Sequence, residues 1–233
     1  NYVTLTNNAF SVSGGQSSGI VNEGTNSKLE TTGGTFTVSG EKSNVLENKG
    51  KVSIHGGAFA VNHSDSNIIY NDAGGEIEVD KNGSAGATFD INTANSSGIF
   101  NKNKVTLTGA TLNVKNKESY GINNNGSSSF LSIHEGTYTI TGPGNINSNI
   151  ITNEGKVSIT ANTFVSNSKG DPVTFTTNSD KTNIISSSGD SVDTERGKFY
   201  VNGEKSTAII ASAGTITSKA TQFYIQKQKS NGI

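Results

Sequence analysis

Apolar residues recur in pairs seven positions apart along the whole chain. The pairs are Val3 and Phe10, Leu29 and Phe36, Val52 and Phe59, Val105 and Leu112, Leu131 and Tyr138, Val157 and Phe164, Val192 and Phe199, and Ile216 and Phe223. A further pair, Ile77 and Phe89, takes the same form once five extra residues occupy the turn between its members. Most members are followed two positions later by another apolar residue, as in Val52-x-Ile54 and Phe59-x-Val61. Alternation with period two marks a strand with one buried face. About ten residues after the second member comes a third element that reads apolar-x-Asn: Ile20-x-Asn22, Leu46-x-Asn48, Ile69-x-Asn71, Ile99-x-Asn101, Ile122-x-Asn124 and Ile151-x-Asn153. Later copies read Ile185-x-Ser187 and Ile210-x-Ser212, and Ile233 falls in the same phase.

Three short strands in as few as 23 residues, repeated about nine times, predict an all-β parallel solenoid over residues 1–233. Strands this short cannot stand alone and must bury themselves against the coils above and below. Parallel crossovers are overwhelmingly right-handed, so the expected fold is a right-handed parallel β-helix. At a strand spacing of ~4.8 Å, nine coils make a rod roughly 40 Å long. Two residues before the aromatic position lie Asn8, Gly34, Gly57, Gly136, Asn162 and Gly197, types that tolerate left-handed corners. Longer loops are expected near 80–86, 142–149 and 168–182, where the repeat is interrupted. Both ends fall within the repeat pattern, which suggests a segment of a longer rod, stacked on neighbouring coils or on a second copy.

The asparagines at 22, 48, 71, 101, 124 and 153 point inward with their apolar partners. A buried amide without a partner is costly. Stacked in register, each can bond the next, so these six are read as a structural asparagine ladder.

Composition narrows the picture further. Asn, Ser, Thr and Gly make up about half of the chain and hydrophobic residues only 30%, too few for a wide core. Disorder usually brings high net charge, whereas here the net charge is -1 with 16% charged residues. That balance provides no basic field for nucleic acid or anionic membrane. No apolar run reaches transmembrane length, and the lack of cysteine excludes disulfides and thiol-ligated metal. Arg196 is the only arginine beside many Lys and Asn, a bias in keeping with a low-GC bacterial source.

Catalytic chemistry finds little purchase. The outward centre of the first strand reads Thr4, Glu30, Ser53, Glu78, Thr106, Ser132, Ser158, Asp193 and Thr217. Glu30 and Glu78 lie two coils apart, about 9–10 Å, a spacing that suits an inverting carboxylate pair but also an ordinary solvated face. His55 and His134 are placed at equivalent corners three coils apart, and His63 beside Asp65. Asp80-Lys81-Asn82-Gly83 has part of an oxygen-rich calcium turn but lacks its remaining ligands, so no cofactor or metal is expected, with calcium the one ion to test. Candidate ligand contacts are the outward aromatic pairs Tyr70 with Phe100 and Tyr200 with Tyr224, the latter with Val165 one coil earlier, and Asp171, Phe175 and Asp180 in the 168–182 loop.

The run Lys51-Val52-Ser53-Ile54-x-Gly56-Gly57-x-Phe59-x-Val61, followed by Ile69-Tyr70-Asn71, resembles the pectate-lyase-like β-helices of bacterial surface adhesins. It is similar also to the passenger regions of autotransporters and to Gram-positive surface proteins. The resemblance covers the whole chain as a style of repeat. It implies an extracellular, surface-displayed rod used for attachment to host or environmental glycans or to surface proteins. No catalytic motif of the lyase relatives maps onto the chain. The expected function is therefore a non-catalytic adhesin or glycan-binding module. The alternatives are a purely structural stalk and a polysaccharide lyase or hydrolase.

Overall fold

A strand whose alternate residues are apolar has one face to bury, and here each such strand buries it against its equivalents one coil away. The computed structural model describes residues 1–81, 86–142, 147–161 and 173–233, and no helix occurs among them. The first three coils each hold three strands: β1 Tyr2–Thr6, β2 Ala9–Val12 and β3 Ser18–Asn22; β4 Lys28–Thr32, β5 Thr35–Val38 and β6 Asn44–Asn48; β7 Lys51–His55, β8 Ala58–Val61 and β9 Asn67–Asn71. The fourth holds β10 Glu76–Asp80, β11 Thr88–Ile91 and β12 Ser97–Asn101. In the next two coils the first and second strands run together, giving β13 Lys104–Val114 with β14 Tyr120–Asn124, then β15 Phe130–Ile140 with β16 Asn149–Asn153. The last coils contain β17 Lys156–Thr160, β18 Val173–Thr177 and β19 Asn183–Ser187, then β20 Ser191–Glu195, β21 Lys198–Val201 and β22 Thr207–Ala211, and finally β23 Thr215–Lys219 and β24 Gln222–Ile225.

All pairings within these sheets are parallel and join neighbouring coils. The third strands form an eight-stranded sheet, while β13 and β15 fuse the first and second strands into one sixteen-stranded sheet. The chain is thus a three-sided β-solenoid of eight complete turns with two strands of a ninth. A bridge between Thr207 and Asn231 begins the next third strand, and it places Ile233 in the phase that the repeat predicts.

The core is a set of files parallel to the rod. Phe10, Phe36, Phe59 and Phe89 stack at centroid distances of 5.6, 4.5 and 5.1 Å. Leu112 takes the next place, and Tyr138, Phe175, Phe199 and Phe223 continue at 4.9, 4.9 and 5.2 Å. Phe175 thus occupies the seventh aromatic position that spacing assigns to Phe164. Phe164 lies outside the described residues, as do Asn162, Val165 and Asp171. The reason is register: Phe175 is directly opposite both Tyr138 and Phe199, so the extra residues fall before β18 rather than across 168–182.

The asparagine ladder is continuous. Nδ2 of Asn22 donates to Oδ1 of Asn48 at 2.7 Å, and the same bond links Asn48 to Asn71, Asn71 to Asn101, Asn101 to Asn124 and Asn124 to Asn153 at 2.7–2.8 Å. Asn153 then donates to Ser187 Oγ at 3.0 Å. The second proton of each amide is used as well, for example by Asn48 on Gly50 O at 2.9 Å, while Asn48 Oδ1 also accepts the Gly50 N–H. The ladder does not extend to Ser212, because Ile209 and Ala211 stand opposite Ile185 and Ser187. A slip of one residue reverses faces, and Ile210 accordingly points outward with 48% of its surface exposed.

A second ladder runs along the turn between the second and third strands. The N–H of Ser17 donates to Ser43 Oγ, Ser43 to Ser66, Ser66 to Ser96, Ser96 to Ser119 and Ser119 to Ser148, at 3.0–3.5 Å. Thr182, Ser206 and Ser230 repeat the pattern further on. Most of these hydroxyls reach back to a carbonyl one coil below, as Ser43 does to Gly14 and Ser66 to Gly40, while Ser17 and Thr182 bond within their own turns to Gly15 and Ser179. The residue before each of these hydroxyls has a positive φ, among them Gln16, Lys42, Asn95 and Lys205 at 52–54°. A non-glycine residue there costs about 1 kcal/mol, and the ladder bonds on either side offset it.

The corner before the second strand follows expectation in part. Gly34, Gly57 and Gly136 have positive φ, but next to Asn8 and Gly197 it is Asn7 (φ 51°) and Arg196 (φ 61°) that turn left-handed.

One inward file carries an anomaly with a measurable consequence. Leu5, Thr31, Ile54, Val79 and Leu107 stand in register, and Thr31 is 2% exposed with no partner for its hydroxyl among the described residues. A desolvated, unbonded hydroxyl costs roughly 1–3 kcal/mol. Thr31→Val should therefore stabilise the rod by about 1 kcal/mol, seen as a higher denaturation midpoint in urea.

Candidate functional site

With the inward files committed to packing, any ligand must meet the outward slots. On the third-strand face these read Val21, Glu47, Tyr70, Phe100, Asn123, Thr152, Ser186 and Ile210. Tyr70 and Phe100 are adjacent, as the sequence places them, with ring centroids 5.3 Å apart and planes 9° apart. The rings therefore lie face to face along the rod and present their rims to solvent. Lys102, at the following corner, donates to the Tyr70 hydroxyl and lies 3.4 Å from Asp72 Oδ1. Its Nζ is 4.9 Å from the Tyr70 centroid while bonded to the phenol oxygen, so it sits off the hydroxyl rim. That contact is a hydrogen bond more than an attraction to the π face.

The Tyr70 hydrogen bond is the main influence holding the Lys102 ammonium above its ordinary pKa, against burial, with Asp72 adding to it. Burial of Asp72 opposes its ionisation, but the Ala73 N–H and the charges of Lys102 and Lys49 outweigh it and keep the carboxyl below the usual range.

Tyr200 and Tyr224 behave similarly, stacked at 4.6 Å with planes 6° apart and with the Tyr224 hydroxyl donating to Gln222 Oε1. Thr176, rather than Val165, is the residue one coil before Tyr200. Of the loop candidates, Phe175 is fully buried in the aromatic file and cannot touch a ligand, because β18 carries it inside the rod. Asp180 lies in a turn of the standard kind and accepts the Glu204 N–H at 2.8 Å. Burial drives the Tyr138 phenol far above its ordinary pKa, and its hydroxyl donates to Glu135 O.

The first-strand face has the order that the sequence predicts, from Thr4 through Glu30, Ser53 and Glu78 to Thr217. Side chains link four coils there: Tyr2 donates to Glu30, Glu30 Oε1 lies 3.6 Å from His55 Nε2, and His55 Nδ1 contacts Asp80. His134 is not equivalent to His55. It is the extra residue of a register shift that puts Glu135 opposite Thr108, and it pairs instead with Ser132 Oγ at 3.0 Å. His63 contacts Ser64 O rather than Asp65.

In the turn with partial calcium character, Asp80 is engaged by His55 and Lys81 Nζ reaches Glu135 Oε2 at 2.7 Å, while Asn82 and Gly83 lie outside the described residues. No group of three or more His, Asp or Glu is placed to hold a metal ion among the described residues.

Sequence reasoning missed the serine ladder, although a Ser or Thr stands three residues before each inward apolar residue of the third strand, from Ser17 and Ile20 to Ser206 and Ile209. It also missed Phe130, which is 36% exposed in a slot that four other coils fill with Lys28, Lys51, Lys104 and Lys156 and the remaining four with Tyr2, Glu76, Ser191 and Thr215. An aromatic residue standing between Lys104 and Lys156 in an outward slot is the signal that marks it.

No protein-family model matches the chain, and neither a curated protein nor a solved structure matches it.

Proposed function

We propose that the chain is a non-catalytic module of a bacterial cell-surface adhesin, displayed outside the cell and binding glycan along one side of the rod. The observation that supports this reading is the parallel register of the three strand files, kept from coil to coil apart from the shift at His134. It sets outward side chains in rows one coil spacing apart, an extended and rigid surface suited to a polymer lying along it. The interior supports the same role, because each step between coils is spanned by at least one of the two hydrogen-bonded ladders, which hold the outward rows in place.

A glycan array with plant and mucin polysaccharides, run with and without calcium, tests it on the folded rod. The expected result is saturable binding to a defined class of chain. A blank array with the circular dichroism of an intact solenoid would favour the second reading, a purely structural stalk. The face-to-face stacking of Tyr70 on Phe100 and of Tyr200 on Tyr224 supports that alternative, since it spends ring faces on cross-strand packing.

A further inference from the structure

On the first-strand face a shallow groove of about 250 Å³ is lined by Lys51, Ser53, Glu76, Glu78, Lys104 and Thr106. The depression lies where the short side chains of Ser53 and Thr106 stand on either side of Glu78 and beside Lys51 and Lys104. Lys51 and Glu76 pair with each other at 3.6 Å. The side chains of Ser53, Glu78, Lys104 and Thr106 have no hydrogen-bond or ionic partner among the described residues, whereas nearby Glu30, His55 and Asp80 are engaged with one another. Phe130 stands directly opposite Lys104 one coil further on, is 36% exposed and has no stacked ring among the described residues, unlike Tyr70 and Phe100.

We propose that this groove, together with Phe130, is a binding site for a short neutral oligosaccharide running along the rod axis. The inference rests on the adhesive reading above and assigns it a place and a ligand class. A pyranose presents an apolar C–H face and a rim of hydroxyls. Phe130 supplies a surface for the former. Glu78 accepts from vicinal hydroxyls, Lys104 donates to ring or hydroxyl oxygens, and Ser53 and Thr106 do either. The charges decide between neutral and acidic chains. With Lys51 and Glu76 neutralising each other, Glu78 and Lys104 leave the groove with no net charge, which gives a polyanion no advantage.

The test is calorimetric titration of the whole chain with short gluco-, galacto- and mannooligosaccharides and with their uronate counterparts. Phe130→Ala and Glu78→Gln are both exposed substitutions, and circular dichroism checks that each keeps the fold. Expected are binding of a neutral chain, at least about tenfold weaker binding in either variant, and affinity within about twofold of the parent in Tyr70→Ala. Unchanged affinity in both groove variants overturns the assignment while leaving the adhesive reading intact. Preference for the uronate chains overturns the ligand class. If the parent binds none of the panel, the assignment falls, and the adhesive reading is then judged on the polysaccharide array alone.

Discussion

Replacing Asn101 by alanine should destabilise the rod by about 3 kcal/mol, the largest loss expected from a single amide. Asn101 sits in the middle of the ladder with no exposed surface. Its Oδ1 accepts from Asn71 Nδ2 and from the Asn103 N–H, and its Nδ2 donates to Asn124 Oδ1 and towards the carbonyls of Asn103 and Phe130. Truncation leaves the Asn103 N–H and the Asn124 Oδ1 contact unmet in a buried corner, and each such group costs roughly 1–3 kcal/mol. The same change at Asn22 should cost about 1 kcal/mol, because that residue is 8% exposed at the end of the ladder and has a neighbour on one side only. Asn101→Ser should fall between the two, as serine already fills this file at Ser187. Guanidinium unfolding gives the magnitudes. Equal losses at Asn101 and Asn22 would falsify the view that the ladder acts through both neighbours.

Phe59→Ala should cost about 3–5 kcal/mol, the range for deleting a buried aromatic ring. Phe59 is 3% exposed and packed between Phe36 at 4.5 Å and Phe89 at 5.1 Å, so the cavity is walled by rings whose own positions are fixed by backbone pairing. Collapse into it is correspondingly limited. Phe59→Leu should cost under about 1.5 kcal/mol, since Leu112 occupies the equivalent place in an intact coil. In a solenoid each coil contacts only its neighbours, so the damage should be local. Amide exchange in Phe59→Ala should accelerate in β5, β8 and β11 and change little in β20 to β22. A uniform loss of protection along the rod would show that it unfolds as one unit instead.

Both variants test features that are legible in the amino-acid sequence. The repeat of apolar-x-apolar strands predicts the inward files, and apolar-x-Asn predicts the ladder from Asn22 to Asn153, because alternation along a strand is a local property. The outward order from Thr4 to Thr217 follows for the same reason. The outward placement of Ser53 and Glu78 is therefore legible in the sequence, and with it the row on which the groove lies. The groove itself is not, since it depends on side-chain lengths in three adjacent coils taken together.

What the sequence determined by itself is the repeat unit: three strands per coil, the residues that face inward, and the amides that must pair with their equivalents. The tertiary structure decided the rest, wherever a local pattern admitted two phases. Val157 with Phe164 has the correct spacing, yet Phe175 fills the file because Tyr138 and Phe199 lie against it. Ile210-x-Ser212 and Ile209-x-Ala211 read alike, yet pairing with β19 selects the second. His134 matches His55 by count, yet a shift in register along β15 moves it out of line. The tertiary structure also showed which aromatic faces were already spent on each other. In each case the deciding contact joins residues more than 20 positions apart, and the parallel register between coils is a property of the stack, which no single coil's sequence contains.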